Sequence, residues 1–241
     1  MNSPENPPIP DPRRRKRAAG AIAAVVVVAL VAVGVWLLRD NDPDPGTGVT
    51  TGTGVTGPAA LKNAEVLLTV VPAAADVPAE WKATREPHVE TDHCTEVKPS
   101  QLCYGTHGMV MAVYDGPEAR FEASARAFTF GDAAAATAGH GVILNKVRSS
   151  TRERVPFTAE PIAGNEVVGF TTRGIGPASD RIRFSTIVLA GAVVVECDVS
   201  APTGSGDEGE LRATVVALTK AVVERAGQVQ DGVVATARVS S

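Results

Sequence analysis

The residues best suited to chemistry lie in one short stretch, REPHVETDHC, at residues 85–94. Side chains of an extended chain alternate between two faces, so His88, Glu90 and Asp92 would share one face there, with His93 on the other. One imidazole and two carboxylates at this spacing could hold a divalent metal ion. Because no second ligand set or general base follows at a recognisable spacing, we interpret the stretch as a solvated polar edge and expect neither a metal nor another cofactor.

Motifs that position a nucleophile, a metal or a phosphate are missing from the sequence. It contains no G-x-S-x-G elbow, no H-E-x-x-H helix, no P-loop and no C-x-x-C pair. His107 and His140 stand alone, and we interpret them as a turn residue and a helix-surface residue. The sequence therefore predicts a non-catalytic module that binds a small molecule, a lipid, a cell-wall fragment or a protein. An enzyme of an unrecognised type, metal-dependent through His88, Glu90 and Asp92, remains the alternative.

The N-terminal segment predicts the compartment in which these residues lie. Residues 13–17 are all basic, and the 21 residues at 18–38 contain no charged or strongly polar side chain. At about 1.5 Å rise per residue, that segment would span roughly 30 Å, the thickness of a hydrocarbon core. A cleaved export signal would have a shorter apolar core, followed by a small-residue cleavage site. We therefore expect a retained transmembrane helix.

The charges on either side of the span predict its orientation. Five basic residues precede it and only Arg39 follows it, so the positive-inside tendency places the N-terminus in the cytoplasm and the main domain outside the cell membrane. The bilayer is thus one expected partner. The predicted organisation is a cytoplasmic basic tail at 1–17, a transmembrane helix at 18–38, a linker rich in Gly, Thr, Pro and Asp at 39–58, an extracytoplasmic α+β domain at 59–230 and a C-terminal tail at 231–241.

The part of the chain after the span is acidic. It carries 18 of the 23 basic and 25 of the 27 acidic residues, a net charge of 18 − 25 = −7. This charge argues against nucleic acid as a partner. The linker has too little apolar bulk to order itself and is interpreted as a flexible tether.

The three cysteines have two different predicted roles. Cys94 and Cys103 bracket a short, proline-containing loop, and disulfides persist outside the cytoplasm, so we expect a bridge between them. Cys197 lies among valines on a predicted core face, where a thiol behaves as a small apolar group. Other pairings, Cys103 with Cys197 above all, remain open.

The clearest local pattern is a β-hairpin at residues 181–200, RIRFSTIVLAGAVVVECDVS. With Ala190 and Gly191 as the turn, one face is nearly all apolar and the other is polar, as a sheet covered on one side requires. The apolar pairs predicted by this register are Ile182 with Val199, Phe184 with Cys197, Thr186 with Val195 and Val188 with Val193. The polar pairs are Arg183 with Asp198 and Ser185 with Glu196.

The remaining elements complete an α+β pattern. Two strands joined around Gly116 precede a helix that Asp132 would cap, a further strand follows at 164–173, and a short helix before Pro72 opens the domain. The closing helix would be capped by Ser205 or Asp207 and would end at Gly227, with an apolar stripe of Leu211, Val215, Leu218 and Val222. The predicted fold is an antiparallel β-sheet packed against helices.

Several of these segments together resemble a known group of domains. The helix ending in LLTVV, the segment ADVPAEW, the nearby cysteine pair and the strand that runs into FGDAAAA are similar to extracytoplasmic sensor-type domains of actinobacterial membrane proteins. Among these is the outer domain of some membrane Ser/Thr protein kinases. The resemblance covers residues 59–227 and implies a sensor-like role. It departs from the kinases because only 17 residues precede the span, which leaves no kinase domain, and because three cysteines cannot form two disulfides. Any sensing would therefore act through a partner.

Overall fold

Seven strands form one antiparallel sheet in the computed structural model, which describes residues 61–90, 106–150, 152–174 and 180–240. The spatial order of the strands is β1-β2-β3-β7-β6-β5-β4. Their bounds are β1 Lys82–Glu90, β2 Thr106–Asp115, β3 Glu122–Phe130, β4 Arg154–Phe157, β5 Val167–Arg173, β6 Arg181–Ala190 and β7 Val193–Pro202. The predicted α+β class is confirmed.

Within the described residues, three α-helices accompany the sheet, namely α1 Ala64–Leu68, α2 Ala133–Arg148 and α3 Glu208–Gln230. α1 and α3 pack on one face, which we call the α3 face, and α2 packs on the opposite face, the α2 face. None of the helices in the described ranges is long and apolar enough to cross a bilayer. The predicted span and linker lie outside those ranges.

The α3 face holds most of the core. Alternate residues of β6 and β7 point to it, and the predicted stripe of α3 covers them. Phe184 and Val195 are fully buried there, as are Val215 and Val222 of the helix. The alternation predicted for the hairpin and the four-residue stripe are therefore both confirmed.

The register of the hairpin differs from the prediction by two residues. Ala190 pairs with Val193, so the turn residues are Gly191 and Ala192, and Gly191 adopts φ +60°. A two-residue hairpin turn with glycine first suits the right-handed twist of the strands, which the predicted Ala-Gly order would not. The observed pairs include Phe184 with Val199, Thr186 with Cys197, Val188 with Val195, Ser185 with Asp198 and Arg183 with Ser200. A shift of two residues leaves every side chain on its predicted face.

The ends of the helices follow from local hydrogen bonds. The Asp132 carboxylate accepts from the backbone of Ala135 and begins α2, as predicted, and Asp207 caps α3 in the same way. The predicted stop at Gly227 is wrong, because α3 continues for three more residues. The helix ends before Gly232, whose φ of +73° is the left-handed conformation that glycine adopts most readily.

The last residues of the chain pack against the N-terminal part of the domain. The buried Arg225 of α3 donates to the carbonyl oxygens of Thr69, at 2.7 Å, and Ala237, at 2.8 Å, and pairs with Asp76 at 3.1 Å. Val239 is buried, and its N–H donates to the Asp76 carbonyl. Residues 233–240, predicted as a tail, are thus fastened to the segment around Asp76.

Candidate functional site

The predicted metal ligands lie at an edge of the sheet. His88 and Glu90 are partly buried residues of β1, an edge strand with register shifts around His88, and the His88 ring nitrogen Nδ1 lies 3.0 Å from the Glu86 carbonyl oxygen. Asp92 lies outside the described residues. Within the described ranges, no three His, Cys, Asp or Glu residues are placed to share a metal ion. The three-ligand site therefore stays an untested prediction.

The two lone histidines occupy different positions. His107 is an exposed residue of β2 and not a turn residue, while His140 lies on α2 as predicted. His140 is only partly exposed, its Nε2 is shielded from solvent without a hydrogen-bond partner, and burial lowers its pKa. It is therefore a neutral imidazole at neutral pH and has no nucleophile bonded to it.

Cys197 is a free, fully buried thiol on the α3 face, as predicted. Burial raises its pKa, so almost none of it is thiolate at neutral pH. The predicted bridge between Cys94 and Cys103 lies outside the described residues.

The chemically richest region is on the α2 face, beyond the apolar area that α2 covers. There α2 packs on Phe130, Phe170, Ile187 and Val194, and the neighbouring surface of β3, β7 and β6 is polar. We call this surface the polar patch and define it by Arg126, Arg183, Ser185, Glu196, Asp198 and Ser200.

A charged cluster occupies the centre of the patch. The Arg126 guanidinium lies 3.3 Å from a Glu196 oxygen and 3.5 Å from an Asp198 oxygen, and the Ser185 hydroxyl donates to the other Asp198 oxygen at 2.5 Å. The register explains these contacts, since Arg126 is opposite Glu196 and Asp198 is opposite Ser185. One arginine thus holds two carboxylates on the central strand.

Burial and like charge determine the protonation of this cluster. Burial raises the pKa of Glu196, and the negative charge of Asp198 raises it further, while Arg126 opposes both effects. Burial by itself would lower the pKa of Arg126, but the two carboxylates raise it by more, so the net shift is upward. The arginine stays charged, and Glu196 accepts a proton at a higher pH than an ordinary glutamate does.

Arginines surround this cluster on the same face. Arg181 donates to the carbonyl oxygen of Ser200 at 3.1 Å and to its hydroxyl at 3.0 Å. Arg154 of β4 lies over the Phe170 ring, 5.0 Å from its centroid, and donates to the Val147 carbonyl at the end of α2. Arg183 lies between the other two arginines, and no residue in the described part of the chain accepts a hydrogen bond from it.

This arrangement is suited to binding more than to covalent chemistry. A serine nucleophile needs a base, usually histidine, within hydrogen-bond reach, whereas Ser185 donates to Asp198 and no described histidine bonds to either residue. Guanidinium groups and carboxylates exposed together on a sheet recognise polar or charged ligands through charge-assisted hydrogen bonds.

Enclosed volume on the opposite face is small. A depression between the ends of β3 and β7 and the start of α3 has room of about 10 Å³, which fits roughly one water molecule. It is lined by Arg120, Phe121, Ala201, Ser205, Gly206, Glu210 and Leu211. This depression is therefore too small for a ligand much larger than water.

The sequence placed four residues of the patch on one face, without Arg126 and Ser200, and did not identify the cluster. Arg183, Ser185, Glu196 and Asp198 were expected to be solvated, whereas Asp198 and Ser185 are buried beneath longer neighbours. Arg126 was not singled out. The available signal was that β3 and β7 both carry charged residues at central positions, where opposite charges can pair.

Comparisons with known proteins find a likeness among solved structures alone. Neither a protein-family model nor a curated protein matches the chain. Among solved structures, the crystal structure of the extracellular domain of PknH from Mycobacterium tuberculosis matches with 14% identity and a TM-score of 0.37, covering 73% of this chain and 98% of that one. The identity and the TM-score are both too low to establish a common family.

Proposed function

We propose that the chain is a single-pass membrane protein whose domain binds a ligand outside the cytoplasm, without catalysis, in a sensor-like role. The basic run at 13–17, the uncharged segment at 18–38 and the linker at 39–58 support the anchored topology. In a sensor-like role, the bound state would be passed to another protein.

The observation that carries the binding role is the polar patch. A protein that needed only stability could cover this half of the sheet with apolar side chains, as α2 does for the other half. The patch instead keeps charges of both signs within reach of a ligand: the Arg126 and Glu196 side chains are 32% and 21% exposed. A ligand with polar or charged groups, such as a cell-wall fragment, a lipid headgroup or a protein surface, fits this chemistry.

Protease treatment of intact cells tests the topology. A C-terminal epitope on the full chain should be lost when protease is added outside the cells, and a cytoplasmic marker protein should survive in the same sample. Survival of the epitope until the cells are lysed would contradict the proposal, and so would a mature N-terminus that begins beyond residue 38.

Native mass spectrometry of the full chain, purified in detergent from its own membranes, tests the binding role. We expect a fraction of the chains to carry an added mass. This fraction should be smaller in the Arg126→Gln variant and unchanged in Arg173→Gln, which removes an exposed arginine of the opposite face. An added mass that is equal in both variants would place the ligand away from the patch. A chain without any added mass would count against a bound ligand.

A further inference from the structure

We propose that Arg183 and Arg154 form a binding site for an oxyanion, the phosphate or carboxylate group of a ligand, above Thr172 on the α2 face. The proposal deepens the binding function proposed above, because it names the chemistry that the ligand must carry.

The first observation is the unusual state of Arg183. Five arginines of the described residues are buried or partly buried, namely Arg126, Arg154, Arg181, Arg183 and Arg225. The other four have protein acceptors, which are carboxylates, carbonyl oxygens or a serine hydroxyl. Arg183 has none among the described residues, and its Nε is shielded from solvent. The shielded Nε leaves no room for a ligand atom, but the terminal nitrogens of Arg183 are not shielded and have no acceptor among the described residues either, so they can donate to a ligand.

The second observation is that Arg154 offers another such donor nearby. Its Nε is also shielded and unpartnered, although its guanidinium is held by the Val147 carbonyl and the Phe170 ring. Arg154 is therefore a positioned guanidinium whose Nη2 has no acceptor among the described residues and can donate to a ligand.

The register brings the two arginines together on one face. Arg154 pairs with Thr172, and Thr172 pairs with Arg183 on the next strand. Because adjacent strands lie about 4.8 Å apart, the two Cα atoms are about 10 Å apart. Arginine side chains are long enough for both guanidinium groups to reach one oxyanion between them. Thr172, 4% exposed, forms the floor between them.

The nearby carboxylate of Asp198 contacts other side chains. Asp198 pairs with Ser185, two residues along β6 from Arg183, and its two oxygens contact Ser185 and Arg126 and not Arg183. None of the ion pairs among the described residues involves Arg183 or Arg154. The planar fork of donors on a guanidinium matches both carboxylate and phosphate, so an oxyanion is the ligand group that fits.

The test is a titration of the purified full chain in detergent micelles, at constant ionic strength, with inorganic phosphate and separately with acetate. Isothermal calorimetry measures the affinity, and the ³¹P line width of phosphate gives a second readout. We expect saturable binding of at least one anion. The Arg183→Gln variant should raise the Kd at least about tenfold, and Arg173→Gln should leave it unchanged within about twofold.

Arg173→Gln is the matched control. It also replaces an arginine by glutamine, but on the neighbouring strand β5 and on the opposite face, where Arg173 pairs with the exposed Glu208. If Arg183→Gln does not fold, as judged by circular dichroism, Arg183→Lys takes its place. It keeps the charge but loses the planar fork and should weaken binding at least about threefold.

The anion that binds distinguishes a phosphate-bearing ligand from a carboxylate-bearing one. Absence of saturable binding for both anions would overturn the site, and so would equal weakening in Arg183→Gln and Arg173→Gln. Since the titration does not depend on membrane sidedness, its failure is distinguishable from a failure of the proposed topology.

Discussion

The two faces of the sheet treat polar side chains in opposite ways. On the α3 face, the few buried polar groups satisfy one another: the hydroxyls of Thr186 and Thr219 lie 2.5 Å apart, and Thr219 donates to the Val215 carbonyl at 2.6 Å. On the α2 face, the Nε–H of Arg183 is shielded from solvent, and no described residue accepts a hydrogen bond from it.

This difference suggests that the side chains of the α3 face specify the fold, whereas those of the polar patch are not needed for it. A fully satisfied, apolar layer fixes which residues of each strand point inward, since a one-residue slip would expose all of them. Once that layer is set, the opposite side chains are free to serve a ligand, and only the part under α2 must be apolar. The comparison therefore predicts large effects for changes on the α3 face and smaller, pH-dependent effects for changes on the patch.

The largest expected effect is the protection of Cys197 from a thiol reagent. Because the side chain is fully buried and burial raises its pKa, the native thiol should react only when the domain unfolds. For a stability of about 5 kcal/mol or more, the labelling rate should fall by on the order of 10³ or more relative to the denatured chain. Peptide-resolved mass spectrometry assigns the label to Cys197. Comparable rates in the native and denatured chain would show that this face is open.

A carboxylate placed in the same layer should be the next largest effect. Val195→Asp buries an unpaired charge at a fully buried position and should lower the free energy of unfolding by about 3 kcal/mol or more. Val155→Asp, the same substitution at a residue that is 55% exposed on β4, should stay within about 0.5 kcal/mol. Urea denaturation of the two variants measures the contrast, and equal losses would mean that the assigned faces are wrong.

On the polar patch, replacing Arg126 should lower the free energy of unfolding by less than Val195→Asp does. Arg126→Gln leaves Glu196 and Asp198 without their guanidinium, and we expect a loss of about 2 kcal/mol at pH 7. Protonation of a carboxylate relieves the repulsion, so the loss should shrink as the pH is lowered toward 5. Arg173→Gln, which breaks an exposed pair, should cost about 0.5 kcal/mol or less at either pH. A loss that does not depend on pH would contradict the electrostatic assignment.

The smallest effect concerns Glu196 alone. Burial and Asp198 raise its pKa in the folded state, so the folded chain holds this proton to a higher pH than the unfolded chain does. The free energy of unfolding should therefore fall as the pH rises from the ordinary glutamate pKa, about 4.5, through the raised value. Glu196→Gln removes this titration. Across that pH range, its free energy of unfolding should rise by up to about 1 kcal/mol relative to that of the wild type. Parallel pH profiles of the two proteins in urea denaturation would show that the pKa is not raised.

The sequence predicted faces better than registers and ends. The alternation in β6 and β7 assigned Phe184 and Val195 to the core, because periodicity depends on each strand alone. The register depends on which residue takes the left-handed turn position, and either order of Ala and Gly suited the hydrophobic pattern. At the end of α3, the sequence predicted Gly227 as the stop, whereas in the structure Gly232 adopts the left-handed conformation and Gly227 does not.

The two edge strands and the cluster were hidden for other reasons. β1 and β4 each contain a proline, Pro87 and Pro156, which weakens a strand pattern and is tolerated at a sheet edge. The sequence also could not show that α2 covers only part of its face, since no periodicity records where a helix stops covering a sheet. The state of Arg183 depends on that boundary.

The hydrogen bond from the Val239 N–H to the Asp76 carbonyl, 2.9 Å long, has a consequence for the connectivity of the chain. The first and last segments of the domain are neighbours, so the order in which the strands are encoded is not essential to their packing. A circular permutant that joins the residues after Val239 to those before α1, and opens the exposed turn at Gly204, should fold to the same sheet.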